Sequence, residues 1–114
     1  MISDLFAAID GKDVKNFLTF LSSDCVFRFG NLPAVKGREE IRNFVTGFFD
    51  SIDSLSHEIE QSWDTPDGLV CHGRVSYTRK DGSVLTVPFA NIFKLDNSGI
   101  AEYLVFADTS QLYQ

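Results

Sequence analysis

The sequence predicts an α+β fold in which a curved antiparallel sheet wraps around a long helix, with two further N-terminal helices and a cone-shaped pocket between sheet and helix. Three observations support this prediction. Apolar residues follow helical spacing in the first half of the chain and alternate with polar residues in the second half. Asp-Gly and Ser-Gly pairs separate the alternating segments, as in hairpins. The helices are the only elements available to cover the apolar face of the sheet.

Three helices are predicted before the alternating region. The first ends at Gly11, and Asp13 is the expected cap of the second. A short strand from Cys25 to Phe29 follows. The third helix begins near Arg38 and carries the clearest helical signal, with Phe44 and Phe48 expected to be buried against Phe89 and Phe93. Its apolar positions are Ile41, Phe44, Val45, Phe48, Phe49 and Ile52.

Four antiparallel strands are predicted after residue 54, in the order of a meander. They cover residues 55–64, 69–79, 84–95 and 100–108, and Gly73 is a candidate for a β-bulge. Side chains of one parity are mostly apolar in each strand and are expected to face the helices. A few polar or amphipathic groups share that parity: His57, Gln61, Trp63, Tyr77, Asn91 and Tyr103.

Length, charge and cysteine content limit the function. The 114 residues fit one domain, residues 1–114. A net charge of −6 without a Lys/Arg cluster argues against nucleic acid and anionic membranes as partners. No apolar run is long enough for a membrane span, and the N-terminus lacks the basic segment of a signal peptide. Cys25 and Cys71 match no metal-binding spacing, so we expect reduced thiols, a cytoplasmic protein and no metal.

Two stretches resemble the nuclear transport factor 2-like, or SnoaL-like, superfamily, which has a cystatin-like cone fold. FLTFLSSDCVFRF and VKGREEIRNFVTGFF resemble its first half, and RVSYTRKDGSVLTVPFANIFKLDNSGIAEYLVFAD resembles its second half. The resemblance covers nearly the whole chain and implies the fold described above. The superfamily includes isomerases, cyclases, dehydratases, hydrolases and non-catalytic binding or dimerisation modules. The resemblance therefore implies a fold and does not choose among these activities.

The catalytic residues of the ketosteroid isomerases are mostly replaced in this chain. The position of their general-base aspartate corresponds to Phe29, and that of their first-helix tyrosine to Leu5 or Phe6. Their protonated aspartate falls at or beside Asn91, which still donates a hydrogen bond. Steroid isomerisation by that mechanism is not expected. The histidine–aspartate dyad of the dehydratases remains open, because its members are distant in sequence.

His57 is the candidate catalytic residue, because an imidazole takes up and releases a proton near neutral pH. The other expectation for His57 is a structural residue at the rim. The predicted substrate-binding residues are Phe29, Gln61, Trp63, Tyr77, Phe89, Asn91 and Tyr103. They combine aromatic surface with few polar groups, as ligand pockets do. The expected ligand is small, hydrophobic and oxygen-bearing.

Three functions are compatible with these residues. The first is a cofactor-independent isomerase, cyclase, dehydratase or hydrolase. The second is a binding module without turnover, and the third is a dimerisation or interaction module whose cone is filled by its own phenylalanines, of which the chain has 11. In each case we expect a homodimer formed through the outer sheet face, which carries exposed apolar residues. These are Val84, Pro88, Ala90, Ile92, Leu104 and Phe106.

Overall fold

The computed structural model describes residues 1–113, and within them it contains three helices and six strands. The helices are α1 (Ile2–Asp10), α2 (Val14–Thr19) and α3 (Arg38–Asp50). The strands are β1 (Leu21–Phe29), β2 (Val35–Lys36), β3 (Ser54–Thr65), β4 (Gly68–Thr78), β5 (Val84–Asp96) and β6 (Gly99–Ala107). The predicted α+β class and curved sheet are confirmed.

The six strands form one open sheet in the order β2-β1-β6-β5-β4-β3. The predicted meander is present as β3 to β6, and all its neighbours are antiparallel. The pairing of β1 with β6 is parallel, with Phe27 opposite Tyr103. This parallel pair and the short β2 are additions to the sequence prediction, and β1 begins four residues earlier than expected. The N-terminal strand thus extends the sheet at the edge of the last strand.

The helices are held on the inner face of the sheet by apolar contacts and a few polar anchors. Asp13 caps α2 by accepting a hydrogen bond from the Asn16 N–H at 3.1 Å, as predicted. The Arg38 guanidinium donates to the Leu21 carbonyl through Nη2 at 2.6 Å and fixes the start of α3 against β1. The longest helix has 13 residues, and none within residues 1–113 is long and apolar enough to cross a membrane.

The buried face of α3 differs from the prediction. Its fully buried residues are Ile41, Val45 and Phe49. Phe44 and Phe48 are only half-buried, and their rings contact neither Phe89 nor Phe93. They lie instead against aromatic rings of β1 and β4: Phe27, Phe29 and Tyr77. These two phenylalanines belong to the wall at the open end of the cone rather than to the deepest core.

A β-bulge in β3 lies opposite Gly73 and reverses the faces of the residues that follow it. Ile59 pairs with Gly73, and Gln61 pairs with His72, the adjacent residue of β4. Two steps along β3 thus match one step along β4, so Glu60 is the extra residue. A Cβ atom on Gly73 would lie 1.8 Å from the Glu58 carbonyl oxygen. Only glycine permits this close approach of the two strands.

The bulge makes the sequence prediction for two residues wrong. Gln61 and Trp63 were expected to face inward, because they share the parity of His57. Beyond the extra residue, both lie on the outer face of the sheet and are exposed. Trp63 is 47% exposed and stacks on His72 with ring centroids 5.6 Å apart.

We predict opposite effects for alanine at two glycines. Gly73→Ala should destabilise the protein by about 1–3 kcal/mol, because the new methyl group meets the backbone of β3. Gly47→Ala, in the middle of α3, should stabilise it by about 0.5–1 kcal/mol, because alanine favours a helix and nothing lies within 4 Å of the added atom. Urea unfolding of both variants checks this. Equal effects would contradict the assigned bulge.

We also predict that the two cysteines are unreactive in the folded protein. Both are buried, and burial raises the pKa of Cys25 to about 12 and that of Cys71 to about 11. Because the thiolate is the reactive form, Ellman's reagent at pH 8 should label neither thiol until denaturant is added, and then both. Rapid labelling without denaturant would show that these strands open readily.

Candidate functional site

A small cavity lies between the helices and the inner face of the sheet. It measures about 50 Å³ to the centre of a water molecule and is lined almost entirely by apolar and aromatic side chains. Six of the eight residues predicted for the site line it: Phe29, His57, Tyr77, Phe89, Asn91 and Tyr103. The other two, Gln61 and Trp63, are on the opposite face of the sheet, as described above. The cavity would hold one or two water molecules or a group of a few atoms, which is less than the ~150 Å³ that accommodates benzene.

Asp10 and His57 form a hydrogen-bonded pair at the wall of this cavity. Asp10 is the last residue of α1, and His57 lies in β3. One carboxylate oxygen, Oδ1, is 2.6 Å from Nδ1 of the imidazole, and the other, Oδ2, accepts the His57 backbone N–H at 2.9 Å. The carboxylate therefore fixes both the strand position and the orientation of the ring.

The pairing also determines the tautomer of a neutral His57. A carboxylate only accepts hydrogen bonds, so the ring proton must be on Nδ1. Nε2 is then the acceptor, and no residue among the 113 described hydrogen-bonds to it. The ring is packed between Phe6, at 4.8 Å, and Phe89, at 5.0 Å between centroids, and the side chain is 10% exposed. A fixed imidazole with a free basic nitrogen has the geometry of a general base.

Asp10 was not among the residues predicted from sequence, because 47 positions separate it from His57. One local signal was available. An acidic residue in the last turn of a helix opposes the helix dipole, and α1 has no basic residue there to compensate. A carboxylate in that position needs a donor from elsewhere in the fold, and His57 supplies two N–H groups.

Asn91 is the one polar residue on the inner face of β5. It is 2% exposed, and its Oδ1 has no hydrogen-bond partner within the described part of the chain. A buried acceptor left without a donor costs about 1–3 kcal/mol. Asn91 also lines the cavity, so its amide is the one polar group that β5 brings to this space.

Tyr77 and Tyr103 add two hydroxyl groups to the same cavity. Burial raises the pKa of both phenols well above the ordinary value, so they remain protonated at every physiological pH. Each can donate a hydrogen bond to a ligand oxygen. Tyr103 is held by edge-on contacts with the rings of Phe27, at 5.1 Å, and Phe93, at 4.6 Å.

The arrangement of these groups resembles a site for proton transfer. One wall carries the His57 imidazole, whose Nδ1 is held by the Asp10 carboxylate. Other walls carry two protonated phenols and the Asn91 amide. The remaining lining is apolar, which strengthens each electrostatic interaction inside. Within residues 1–113, no three His, Cys, Asp or Glu side chains gather as potential metal ligands.

Comparisons with known proteins define the family. The sequence profile of the SnoaL-like domain matches residues 2–103. The chain belongs to the SnoaL-like domain family. A search of curated proteins finds no match to it.

The fold is shared with many proteins of known structure at low sequence identity. An NTF2-like protein of unknown function from Burkholderia pseudomallei is 15% identical, with a TM-score of 0.88 over 97% of this chain and 90% of that one. A putative SnoaL-like polyketide cyclase from Jannaschia sp. is 20% identical, with a TM-score of 0.83 over 97% and 85%. TerC, co-crystallised with polyporic acid, is 15% identical, with a TM-score of 0.84 over 98% and 92%. At these identities the likeness shows the fold alone.

We predict that Asn91→Leu increases stability. Leucine is similar in size and removes the unpaired amide, so the free energy of unfolding should rise by about 1–3 kcal/mol. Urea unfolding measures the change, with the exposed Asn31→Leu as the control, expected to stay within about 0.5 kcal/mol. A loss of stability in Asn91→Leu would mean that the amide is satisfied within the fold and is not available to a ligand.

Proposed function

We propose that this SnoaL-like domain is a cofactor-independent acid–base catalyst that acts on small hydrophobic molecules bearing oxygen. The observation that supports the proposal most strongly is the 2.6 Å contact between Asp10 and His57 at the cavity wall. The reaction class is isomerisation, cyclisation, dehydration or hydrolysis, all of which need a proton moved at a fixed point. His57 is the proposed catalytic residue.

In this proposal His57 Nε2 removes a proton from a carbon next to a substrate carbonyl. The C–H bond breaks, the proton moves to Nε2, and the electron pair moves to the carbonyl oxygen as an enolate. Asp10 stabilises the imidazolium that forms. Tyr77 and Tyr103 are the proposed donors to the enolate oxygen, as in other sites that stabilise a developing oxyanion. Asn91 is proposed to accept a hydrogen bond from a substrate hydroxyl.

The relatives support the same class of ligand. Proteins with this fold include putative polyketide cyclases, and TerC was crystallised with polyporic acid. From these relatives we propose for this chain only the general class of ligand, a small organic molecule that bears oxygen. Phe29, Phe89 and the inward-facing polar groups are the proposed substrate contacts.

The proposal can be tested without the natural substrate, through exchange of carbon-bound hydrogen. Acetone and acetophenone both carry an acetyl group, whose methyl protons exchange with D₂O when a base forms the enolate. Proton NMR should show faster exchange with the wild-type protein than with buffer. His57→Gln should lower the protein-catalysed rate by about 10²–10⁴-fold, the usual contribution of a general base.

Asp10→Asn provides a variant that tests the pair. The asparagine keeps an oxygen for the His57 backbone N–H but presents an N–H to Nδ1, which moves the ring proton to Nε2 and removes the base. The fold should survive while exchange falls. Wild-type exchange no faster than buffer with either ketone would contradict the proposed function.

A second candidate function is dimerisation, and the exposed outer face favours it. Ala90 pairs with Phe106 and Ile92 pairs with Leu104 across β5 and β6, and Phe106 is 42% exposed. Trp63 lies on the same face, beside Val70 in β4. We propose that this apolar face is the contact between two copies of the chain. A non-catalytic interaction module would use the same surface, whereas a non-catalytic ligand-binding module would use the cavity.

We predict that Phe106→Asp converts the dimer to a monomer, because it places a charge in the centre of the apolar face. Sedimentation equilibrium at micromolar concentration should show two chains for the wild type and one for the variant. Thr46→Asp, at an exposed position of α3 on the other side of the sheet, is the control and should leave the mass unchanged. A monomeric wild type would contradict the proposed dimer.

The remaining proposals concern context. We propose that residues 1–114 act as one domain and that the protein works in the cytoplasm, since Cys25 and Cys71 are free thiols suited to a reducing compartment. The acidic balance, a net charge of −6, supports neutral small molecules over nucleic acid as ligands.

A further inference from the structure

The cavity beside His57 lies next to a larger surface groove, with which it shares part of its wall. This groove measures about 240 Å³ on the same scale on which the cavity measures about 50 Å³. Three phenylalanines line both spaces: Phe29, Phe44 and Phe48. The cavity holds only a small group, whereas the groove exceeds the ~150 Å³ that accommodates a benzene ring.

These three rings form the wall between the two spaces. Phe29 contacts Phe48 at 5.1 Å and Phe44 at 6.2 Å between centroids. All three rings are half-buried, with one side toward the core and the other toward the groove. These are ordinary contact distances for aromatic pairs. Each half-buried ring is packed against protein on one side only, so rotation of such a ring into the groove is the movement that would admit a small group.

Gly47 forms part of the groove on the α3 side. A glycine inside a helix costs about 1 kcal/mol relative to alanine, so its presence needs a reason. A Cβ atom there would meet nothing within 4 Å, so packing inside this chain does not require a glycine. The missing side chain leaves the groove open next to Phe48.

Among residues 1–113, those that line the groove carry no charge. Its polar groups are hydroxyls, and the Ser51 and Tyr113 hydroxyls hydrogen-bond each other at 2.8 Å on its rim. Leu32 contributes exposed apolar surface, at 47% exposure. An apolar groove without a charge suits a neutral ring or alkyl group.

From this geometry we infer that the substrate binds in two parts. A small oxygen-bearing head enters between Phe29, Phe44 and Phe48 to reach His57, and a neutral apolar body of about one ring or more remains in the groove beside Gly47. The inference rests on the proposed function for the role of His57. It identifies Gly47 as a residue that determines the size of the substrate, and aryl ketones and related aryl or alkyl carbonyl compounds as the ligand class.

The test compares a head alone with a head plus body, in a protein whose groove is filled. Gly47→Phe should place a ring in the groove without disturbing the core. Acetone is the head alone, and acetophenone adds a phenyl body. Wild-type protein should exchange acetophenone at least about tenfold better than acetone, relative to their rates in buffer, because an extra ring is removed from water. In Gly47→Phe this preference for acetophenone should disappear, because the new ring occupies the space of the phenyl body.

Thr46→Phe is the matched control, since it adds the same ring to the neighbouring exposed position of α3, outside the groove. It should retain the wild-type preference. A preference for acetophenone that survives in Gly47→Phe would overturn the inference, and so would its loss in Thr46→Phe.

A binding measurement separates this inference from the proposed function. In His57→Gln, which should not catalyse exchange, acetophenone should still shift the ¹H–¹⁵N NMR signals of Gly47, Ser51 and Thr109, and acetone should not. If no protein catalyses exchange but these shifts occur, the proposed function fails and the two-part site stands. If acetophenone shifts none of these signals, or shifts those of the outer sheet face instead, the groove is not its site and the inference fails.

Discussion

The close approach of β3 and β4 at Gly73 is the constraint on which the inner and outer faces of the sheet depend. The Glu58 carbonyl occupies the place where a side chain would begin, and the ladder gains one unpaired residue there. Before that point, His57 faces the helices. After it the parity is reversed, so Gln61 and Trp63 lie on the outer face, while Ser62 and Asp64 take the inner parity and remain exposed. This one contact decides which residues of β3 face the cavity and which join the outer face.

Much of the architecture could be predicted from the sequence, because the helices and most strands have regular local spacing of apolar residues. The apolar positions of α3 repeat with helical spacing, and β4 and β5 alternate so regularly that the inward placement of Tyr77, Phe89 and Asn91 followed from parity alone. The parallel pairing of β1 with β6 could not be predicted in this way. It joins segments more than 70 residues apart, and no local pattern records a partner at that distance.

The site could be predicted to a similar degree, and the errors in that prediction have physical causes. Parity counting assumes an unbroken ladder of paired residues. It therefore assigns Gln61 and Trp63 to the wrong face, even though Gly73 is a candidate position for a bulge. The pair of Asp10 and His57 depends on how α1 lies across β3, which is a tertiary arrangement. The size of the cavity could not be predicted from the sequence either, because it depends on how the rings of Phe29, Phe44 and Phe48 pack together.

The parallel pair of β1 and β6 has a consequence for how the chain folds during synthesis. β1 can form its central hydrogen bonds only after Gly99–Ala107 has left the ribosome, so about four-fifths of the chain must wait in an incomplete state. Contacts between such distant segments slow folding, because the entropy of closing the intervening loop comes before any reward from the contact. In that interval the phenylalanines of α3 and the edge of β1 that will pair with β6 are uncovered. Exposed aromatic surface of this kind makes the incomplete chain prone to aggregation until β6 pairs with β1.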